Sequence, residues 1–299
     1  MKNYKLYQVD AFTTEKFTGN PAGVVLNAEG LEKEDMQKIA RELNNSETAF
    51  IFESNNEDYD VHTRYFTPSS EVPICGHATI GSMYIYAKEN SIKNKTILNK
   101  TGAGILPVDI AYENDDYRIT MTQGKIEFGD EIKGENKKVL LKGLGIGEKD
   151  LIKDTKIQIV STGHSKVMIP IKSRELLNNL TPDYNSLSKL SSRIGCNGFY
   201  VFVLDEDENY KVCGRMFAPA IGINEDPVTG NANGPLGAYL VKYGLVDYHG
   251  DEVRFMALQG EAMGRKGEIE VRVTVENECP VQVKIVGNAV SVFETEISI

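Results

Sequence analysis

Three titratable side chains stand beside small-residue turns in this chain, and together they could move a proton. Glu47 lies in Ser46-Glu47-Thr48, just ahead of an apolar run to Phe52. His77 lies in Cys75-Gly76-His77-Ala78, and Asp226 in Asn224-Glu225-Asp226-Pro227, followed by Thr229-Gly230-Asn231. Carboxylates and imidazoles are the usual general acids and bases. Helices opening at Gly76 and Gly230 would leave unpaired backbone N–H groups in their first turns, each end carrying roughly half a positive charge. Two such ends serving one site form a receptor for a carboxylate or similar anion. That puts Gly76, Ala78, Thr229, Gly230 and Asn231 among the candidate substrate-binding residues. Each feature also has a plainer reading. Glu47 could end a strand, His77 could cap a helix, and the glycines could serve tight turns. Asp226 could be only an extended turn residue held by Pro227. Cys75 could be inert packing, or a thiol activated by a helix end.

An internal repeat gives the two glycines more weight. Tyr59, Val61, Arg64, Phe66 and Pro68 match Tyr210, Val212, Arg215, Phe217 and Pro219 at a constant offset of 151. A three-residue insertion then brings Gly76 and Ala78 onto Gly230 and Ala232. A repeat of about half the chain means two related domains rather than a stack of short units. A site is then expected where the two copies face each other. Glu47 falls on Gly198, so the carboxylate occurs in one copy only.

The elements that must position these residues read as mostly strands. Lys5–Phe12, Val24–Leu26, Ser46–Phe52 and Tyr59–Phe66 have strand patterns, and Thr18–Gly23 reads as a turn. Glu32–Leu43 has helical spacing with Met36, Ile39, Ala40 and Leu43 on one face. The helix from Gly76 has almost no polar face before Lys88, which marks a buried helix. Gln123-Gly124 and the Gly- and Lys-rich stretch Gly129–Gly147 look like the change of domain. Asp183–Ile194 reads as a helix, and Phe199–Leu204 with Lys211–Phe217 repeats the first strand pair. Ala232–Tyr243 reads as a second buried helix, closed by Gly244. A strand-rich tail follows.

The totals bound the function. With 299 residues, 41% hydrophobic and 25% charged, the chain reads as a globular protein of two domains. A net charge of -10 argues against nucleic acid as a partner. No apolar run is long enough to span a membrane, and the N-terminal stretch lacks a signal-peptide core. Cys75, Cys196, Cys213 and Cys279 are scattered without a CxxC pair, so no zinc site is expected. Four free thiols without a secretion signal point to a cytoplasmic protein.

The segments VDAFTTEKFTGNPAGVV, NSETAFIF, RYFTPSSEVPICGHATIG, STG, NEDPVTGNANGPLGAYL and QGEAMGR, in this order, resemble the phenazine-biosynthesis PhzF family over nearly the whole chain. The resemblance implies an α+β chain of diaminopimelate epimerase-like fold. It has two pseudo-symmetric domains, each a curved, barrel-like mixed β-sheet wrapped around a central helix. It also implies return of the C-terminal strand to the first domain, hence domains 1–124 with 287–299, and 125–286. The implied activity is a proton-shifting isomerase without cofactor or metal, acting on a small cyclic or unsaturated carboxylate, and assembled as a homodimer. Glu47 matches the family's proton carrier, and His77 and Asp226 match two further polar site residues. Asn231 stands where the family has a serine, which leaves the substrate open. Amino-acid racemases of this fold use two cysteines. Here those positions are Cys75 and Thr229, and a threonine hydroxyl is too weak an acid to share protons with a thiol. The alternatives are a dehydratase or epimerase of the same fold using Cys75, and a non-catalytic small-anion binding protein.

Overall fold

A computed structural model describes residues 1–54, 57–205 and 211–299. It divides into two compact units, Met1–Thr122 with Val286–Ile299, and Gln123–Ile285. Tyr210, the repeat partner of Tyr59, lies outside the described residues.

The first unit contains β1 (Asn3–Ala11), β2 (Asn20–Val25), α1 (Lys33–Leu43), β3 (Thr48–Glu53) and β4 (Val61–Phe66). It continues with β5 (Glu71–Val72), α2 (Gly76–Glu89), β6 (Lys95–Thr101), β7 (Gly104–Glu113) and β8 (Asp116–Thr122). The C-terminal strand Ala289–Ser298 pairs antiparallel with β1. From there the pairing runs β1–β2 antiparallel, β2–β3 parallel, β3–β4 antiparallel, β4–β6 parallel, then β6–β7 and β7–β8 antiparallel. The mixed sheet curls around α2, which packs against β1, β2, β3, β7, β8 and the C-terminal strand. Ten of its residues are buried, from His77 to Ala87. Gly81 makes that closeness possible, since a Cβ there would meet Val9 Cγ1 at 3.3 Å. The amphipathic α1 instead covers the outer face, with Met36, Ile39 and Ala40 packed near Phe50 and Phe66.

The second unit repeats this plan. Its elements are β9 (Glu127–Glu131), α3 (Gly134–Leu144), β10 (Gln158–Ser161), β11 (Ser165–Pro170), α4 (Arg174–Asn178) and α5 (Tyr184–Ile194). They continue as β12 (Phe199–Leu204), β13 (Val212–Ala218), β14 (Ile223–Asp226), α6 (Gly230–Lys242), β15 (Glu252–Gln259), β16 (Gly267–Glu276) and β17 (Cys279–Gly287). The pairing β9–β10–β11 is antiparallel, β11–β12 parallel, β12–β13 antiparallel, β13–β15 parallel and β15–β16 antiparallel. This is the order of the first unit. The registers also agree: Thr48 pairs with Phe66 as Phe199 does with Phe217, and Tyr65 pairs with Val72 as Met216 does with Asp226. Both central helices end alike. Ile92 N–H bonds Ala87 O at 2.9 Å with Ser91 at φ 52°, and Leu245 N–H bonds Leu240 O at 2.9 Å with Gly244 at φ 60°.

Two readings of the sequence need correction. The change of unit falls at Thr122/Gln123, not in Gly129–Gly147, which holds part of β9 and all of α3, whose Leu140, Leu141 and Leu144 enter the second core. Gly145, left-handed at φ 72°, ends that helix. The turn expected at Thr18–Gly23 is largely strand β2 from Asn20 onward. Pro21 is tolerated at its N-terminal end, and Ala22 and Gly23 lie buried against β1.

Candidate active site

In the first unit, four side chains meet at the start of α2. Glu47 immediately precedes β3, its carbonyl accepting from Gly23 N–H at 3.2 Å, so its backbone is fixed by the sheet. Cys75 is the extended N-cap of α2 and gives no side-chain cap. Its side chain thus caps none of the helix's first-turn amides. His77 is buried in that turn. Its Nε2 lies 3.4 Å from Glu47 Oε2 and 3.3 Å from Ser46 Oγ, and its Nδ1 lies 3.5 Å from Cys75 Sγ. An imidazole held between a carboxylate and a thiol can relay or orient a proton. The ligand atoms of Glu47, Cys75 and His77 lie within 4.8 Å of one another, close enough to hold a metal ion. The sequence named all three as site candidates from two separate segments, and the structure brings them together at the start of α2.

Behind this mouth runs a buried polar chain. Thr79 Oγ1 donates to Cys75 O at 2.7 Å, and Tyr65 OH shares a 2.7 Å bond with Thr79 Oγ1. Asn99 Nδ2 donates to Tyr65 OH at 3.4 Å, and Thr63 Oγ1 to Asn99 Oδ1 at 2.8 Å. Burial pushes the Tyr65 phenol up to about 12, so it stays neutral and works as a hydrogen-bonding strut. The chain fixes the α2 N-cap without entering it.

In the second unit, Asp226 ends β14 and Thr229 is the N-cap of α6, again without a side-chain cap of the helix. Thr229 Oγ1 donates to Asp226 Oδ2. Gln259, at the end of β15 and buried, ties the mouth together. Its Oε1 accepts from Thr229 N–H and Asn233 Nδ2, both at 3.1 Å. Its Nε2 donates to Asp226 O at 2.8 Å and to Thr229 Oγ1 at 3.1 Å. Asn233 Nδ2 also donates to Thr229 O at 3.0 Å, and Tyr200 OH donates to Asn233 Oδ1 at 2.9 Å. Burial pushes the Tyr200 phenol far up. Gly230 and Ala232 are buried, and Asn231 is half-buried in the first turn.

Each mouth is braced by one bidentate ion pair. Arg64 Nε and Nη2 grip Glu71 at 2.7 and 2.9 Å, and Arg215 Nε and Nη2 grip Glu225 at 2.8 and 2.7 Å. Each guanidinium also lies over the phenylalanine two residues on, Phe66 or Phe217. The Arg64 guanidinium holds the Glu71 carboxyl below the usual glutamate range. The repeat predicted the arginines but not their partners. Gln259 stood in the QGEAMGR motif without an assigned role, whereas Tyr65, Thr79, Tyr200 and Asn233 gave no signal beyond their apolar surroundings.

Two mixed sheets curled around central helices, with acid–base side chains at a helix mouth, define the diaminopimelate epimerase-like fold and its isomerases. A hydroxyproline epimerase from Agrobacterium vitis shares the fold, with TM-score 0.64 at 13% identity over 99% of this chain and 91% of that one. The family described as Phenazine biosynthesis-like protein, PhzC-PhzF, matches residues 9–295, and the chain belongs to it. It is 64% identical to an uncharacterized isomerase of Clostridium acetobutylicum over 99% of both chains. It is 29% identical to the trans-2,3-dihydro-3-hydroxyanthranilate isomerase of Pseudomonas fluorescens over 97% of both. A Bacillus anthracis PhzF-family crystal structure matches with TM-score 0.89 and 34% identity, covering 100% of both chains. The chain is accordingly an isomerase of the PhzF family. No helix among the described residues is long and apolar enough to cross a membrane.

Proposed function

We propose that this isomerase moves a proton within a small cyclic or unsaturated carboxylate, with Glu47 as its single general base and then acid. The observation that carries this reading is the Glu47 carboxylate 3.4 Å from the buried His77 imidazole at the start of α2. The repeat places Gly198 where a second carboxylate would stand. One base can take a proton from one carbon and return it to another on the same face. His77 and Asp226 hold the substrate and polarise the group that gains electron density, and the first-turn amides at Gly76–Ala78 and Gly230–Ala232 receive the carboxylate. Thr229 in place of a second thiol disfavours two-base racemisation. The reaction requires no cofactor in this reading, and a cytoplasmic homodimer is its expected setting. The Pseudomonas fluorescens relative's named substrate is a cyclic unsaturated carboxylate, which supports the substrate class.

The Cys75–His77 contact at 3.5 Å favours one second reading, elimination or epimerisation with the Cys75 thiolate as base. The test is to incubate the protein in heavy water with a panel of cyclic and unsaturated carboxylates. A substrate that gains one deuteron as its double bond shifts supports the isomerase reading. Loss of water from a substrate, or deuteration with inversion and no shift, supports the second reading and contradicts the first.

A further inference from the structure

The parallel crossovers of the two units differ by one helix. From β2 to β3 the chain passes through α1 alone, whereas from β11 to β12 it passes through α4 and α5. The extra helix changes the surroundings of one guanidinium. Arg215 Nη1 donates to Leu177 O at 2.9 Å and to Leu180 O at 3.0 Å, at and just past the end of α4. Its repeat counterpart Arg64 uses Nε and Nη2 on Glu71 in the same way. Among the described residues, however, its Nη1 makes no hydrogen bond.

Arg64 instead lines a cavity of about 420 Å³ in the first unit. Tyr65 points inward to Thr79 of α2, so its strand neighbour Arg64, like His62, points to the opposite face. On β6, Lys100 is the register partner of His62, which sets their side chains together. Lys100 Nζ lies 4.9 Å from the centre of the Tyr59 ring, without a carboxylate partner among the described residues. Lys33, the first residue of α1, also lines the cavity, its Nζ 3.2 Å from Glu71.

The lining thus sets three cations against one carboxylate, an excess of two positive charges on a chain of net charge -10. Local fields of this kind, rather than net charge, decide small-anion binding. Burial first, then the Lys100 and Arg64 charges, lowers the His62 imidazole, with Glu71 opposing. Val72 and Pro73 supply an apolar wall. Gly102 keeps it close to β6, since a Cβ there would meet Pro73 Cα at 2.8 Å.

We propose that this cavity binds the phosphate of a small organic phosphate. Arg64 Nη1, Lys100 and Lys33 are the donors, and Val72 and Pro73 meet the organic part. A phosphate monoester carries about −1.5 to −2 charges at pH 7 and offers three strong acceptor oxygens. It therefore matches the excess charge and the three donors, where a monocarboxylate would match half. The volume falls in the range of small-molecule sites, roughly 300–1,000 Å³, and exceeds what phosphate alone would fill. The site lies outside the proton-moving residues and does not rest on the isomerase reading.

The test is titration of phenyl phosphate, inorganic phosphate and phenol against the full chain, followed by calorimetry and by the His62 ring signal in NMR. That signal is assigned by its loss in His62→Gln. Phenyl phosphate should bind, move the His62 signal and raise its pKa toward the ordinary value, because an anion offsets the neighbouring cations. Inorganic phosphate should bind more weakly, and phenol should not bind. Lys100→Met, at an exposed position, should keep the thermal midpoint and weaken phenyl phosphate roughly 5- to 50-fold. Lys125→Met removes another exposed lysine, one outside the cavity, and should leave binding unchanged. A His62 signal that stays still at millimolar phenyl phosphate overturns the proposal. So does equal weakening by Lys100→Met and Lys125→Met, which would mark general charge attraction.

Discussion

The two central helices begin in the same way and are furnished differently. At α2 the first residues are Cys75-Gly76-His77, with Glu47 alongside. At α6 they are Thr229-Gly230-Asn231, with Gly198 opposite the carboxylate's position and Asp226 bonded to Thr229. The scaffold around both is shared. Each has an Arg–Glu clamp, an extended N-cap, and a fourth residue, Thr79 or Asn233, that bonds the N-cap carbonyl and meets a buried tyrosine. The tyrosines come from different strands, Tyr65 from β4 and Tyr200 from β12. What duplication kept is the means of holding a helix mouth open. What it let diverge are the polar side chains at each mouth.

The clamps offer the largest test of that comparison. Arg215 and Glu225 have side chains only 7% and 11% exposed, and Arg215 Nη1 also donates to Leu177 O and Leu180 O. Arg64 and Glu71 are 24% and 28% exposed. Breaking a buried pair from one side costs about 3–5 kcal/mol and an exposed pair about 1 or less, with a part-buried pair in between. Arg215→Met should therefore destabilise the protein by roughly 3–5 kcal/mol in denaturant unfolding. Arg64→Met should cost less, roughly 1–3 kcal/mol. Equal losses would contradict the burial argument.

A smaller contrast lies behind the helices. Gln259→Leu leaves the Thr229 amide, the Asn233 side chain and the Asp226 carbonyl each short of a partner, so a loss of about 1–3 kcal/mol is expected. Its register counterpart is Thr101, since Val61 pairs with Asn99 as Val212 does with Ala257. Thr101 makes only local turn bonds, its Oγ1 donating to Gly104 O and accepting from Ala103 N–H. Thr101→Val should cost under roughly 1 kcal/mol. Similar losses at the two positions would show that Gln259 is no hub.

The smallest effect concerns pH. The Glu71 carboxyl is depressed by Arg64, with Lys33 adding to the shift. A depressed acid contributes stability above its unfolded pKa and loses it as pH falls through the folded one. The gap between the parent and Arg64→Met should thus close on acidification below about 4.3, the ordinary glutamate value. A gap that widened on acidification would reverse the sign and contradict the pairing.

Much of this was legible in the residues. The repeat, the two buried helices and the mouths at Gly76 and Gly230 follow from apolar runs and punctuating glycines, which are local signals. α3 was hidden because lysines and glycines outnumber its leucines, so composition outweighed the Leu140–Leu144 spacing. Glu71 and Gln259 were hidden for another reason. Their roles depend on which strand lies beside which, and a sequence without a sheet register cannot show that Gln259 reaches Thr229 and Asn233. Glu47, Cys75 and His77 were named from their motifs, and their distances follow only once the residue before β3 is brought to the start of α2.

The central claim is that one unit carries the proton and that a carboxylate, not the neighbouring thiol, does so. The direct measurement is the rate of deuterium incorporation into an identified substrate by the parent, Glu47→Gln and Cys75→Ser. Glu47→Gln should lower the rate by about 10²–10⁴-fold, the usual contribution of a positioned general base. Cys75→Ser should stay within about fivefold, well below that contribution. Full exchange by Glu47→Gln together with loss of exchange in Cys75→Ser would contradict the account and transfer the role to the thiol.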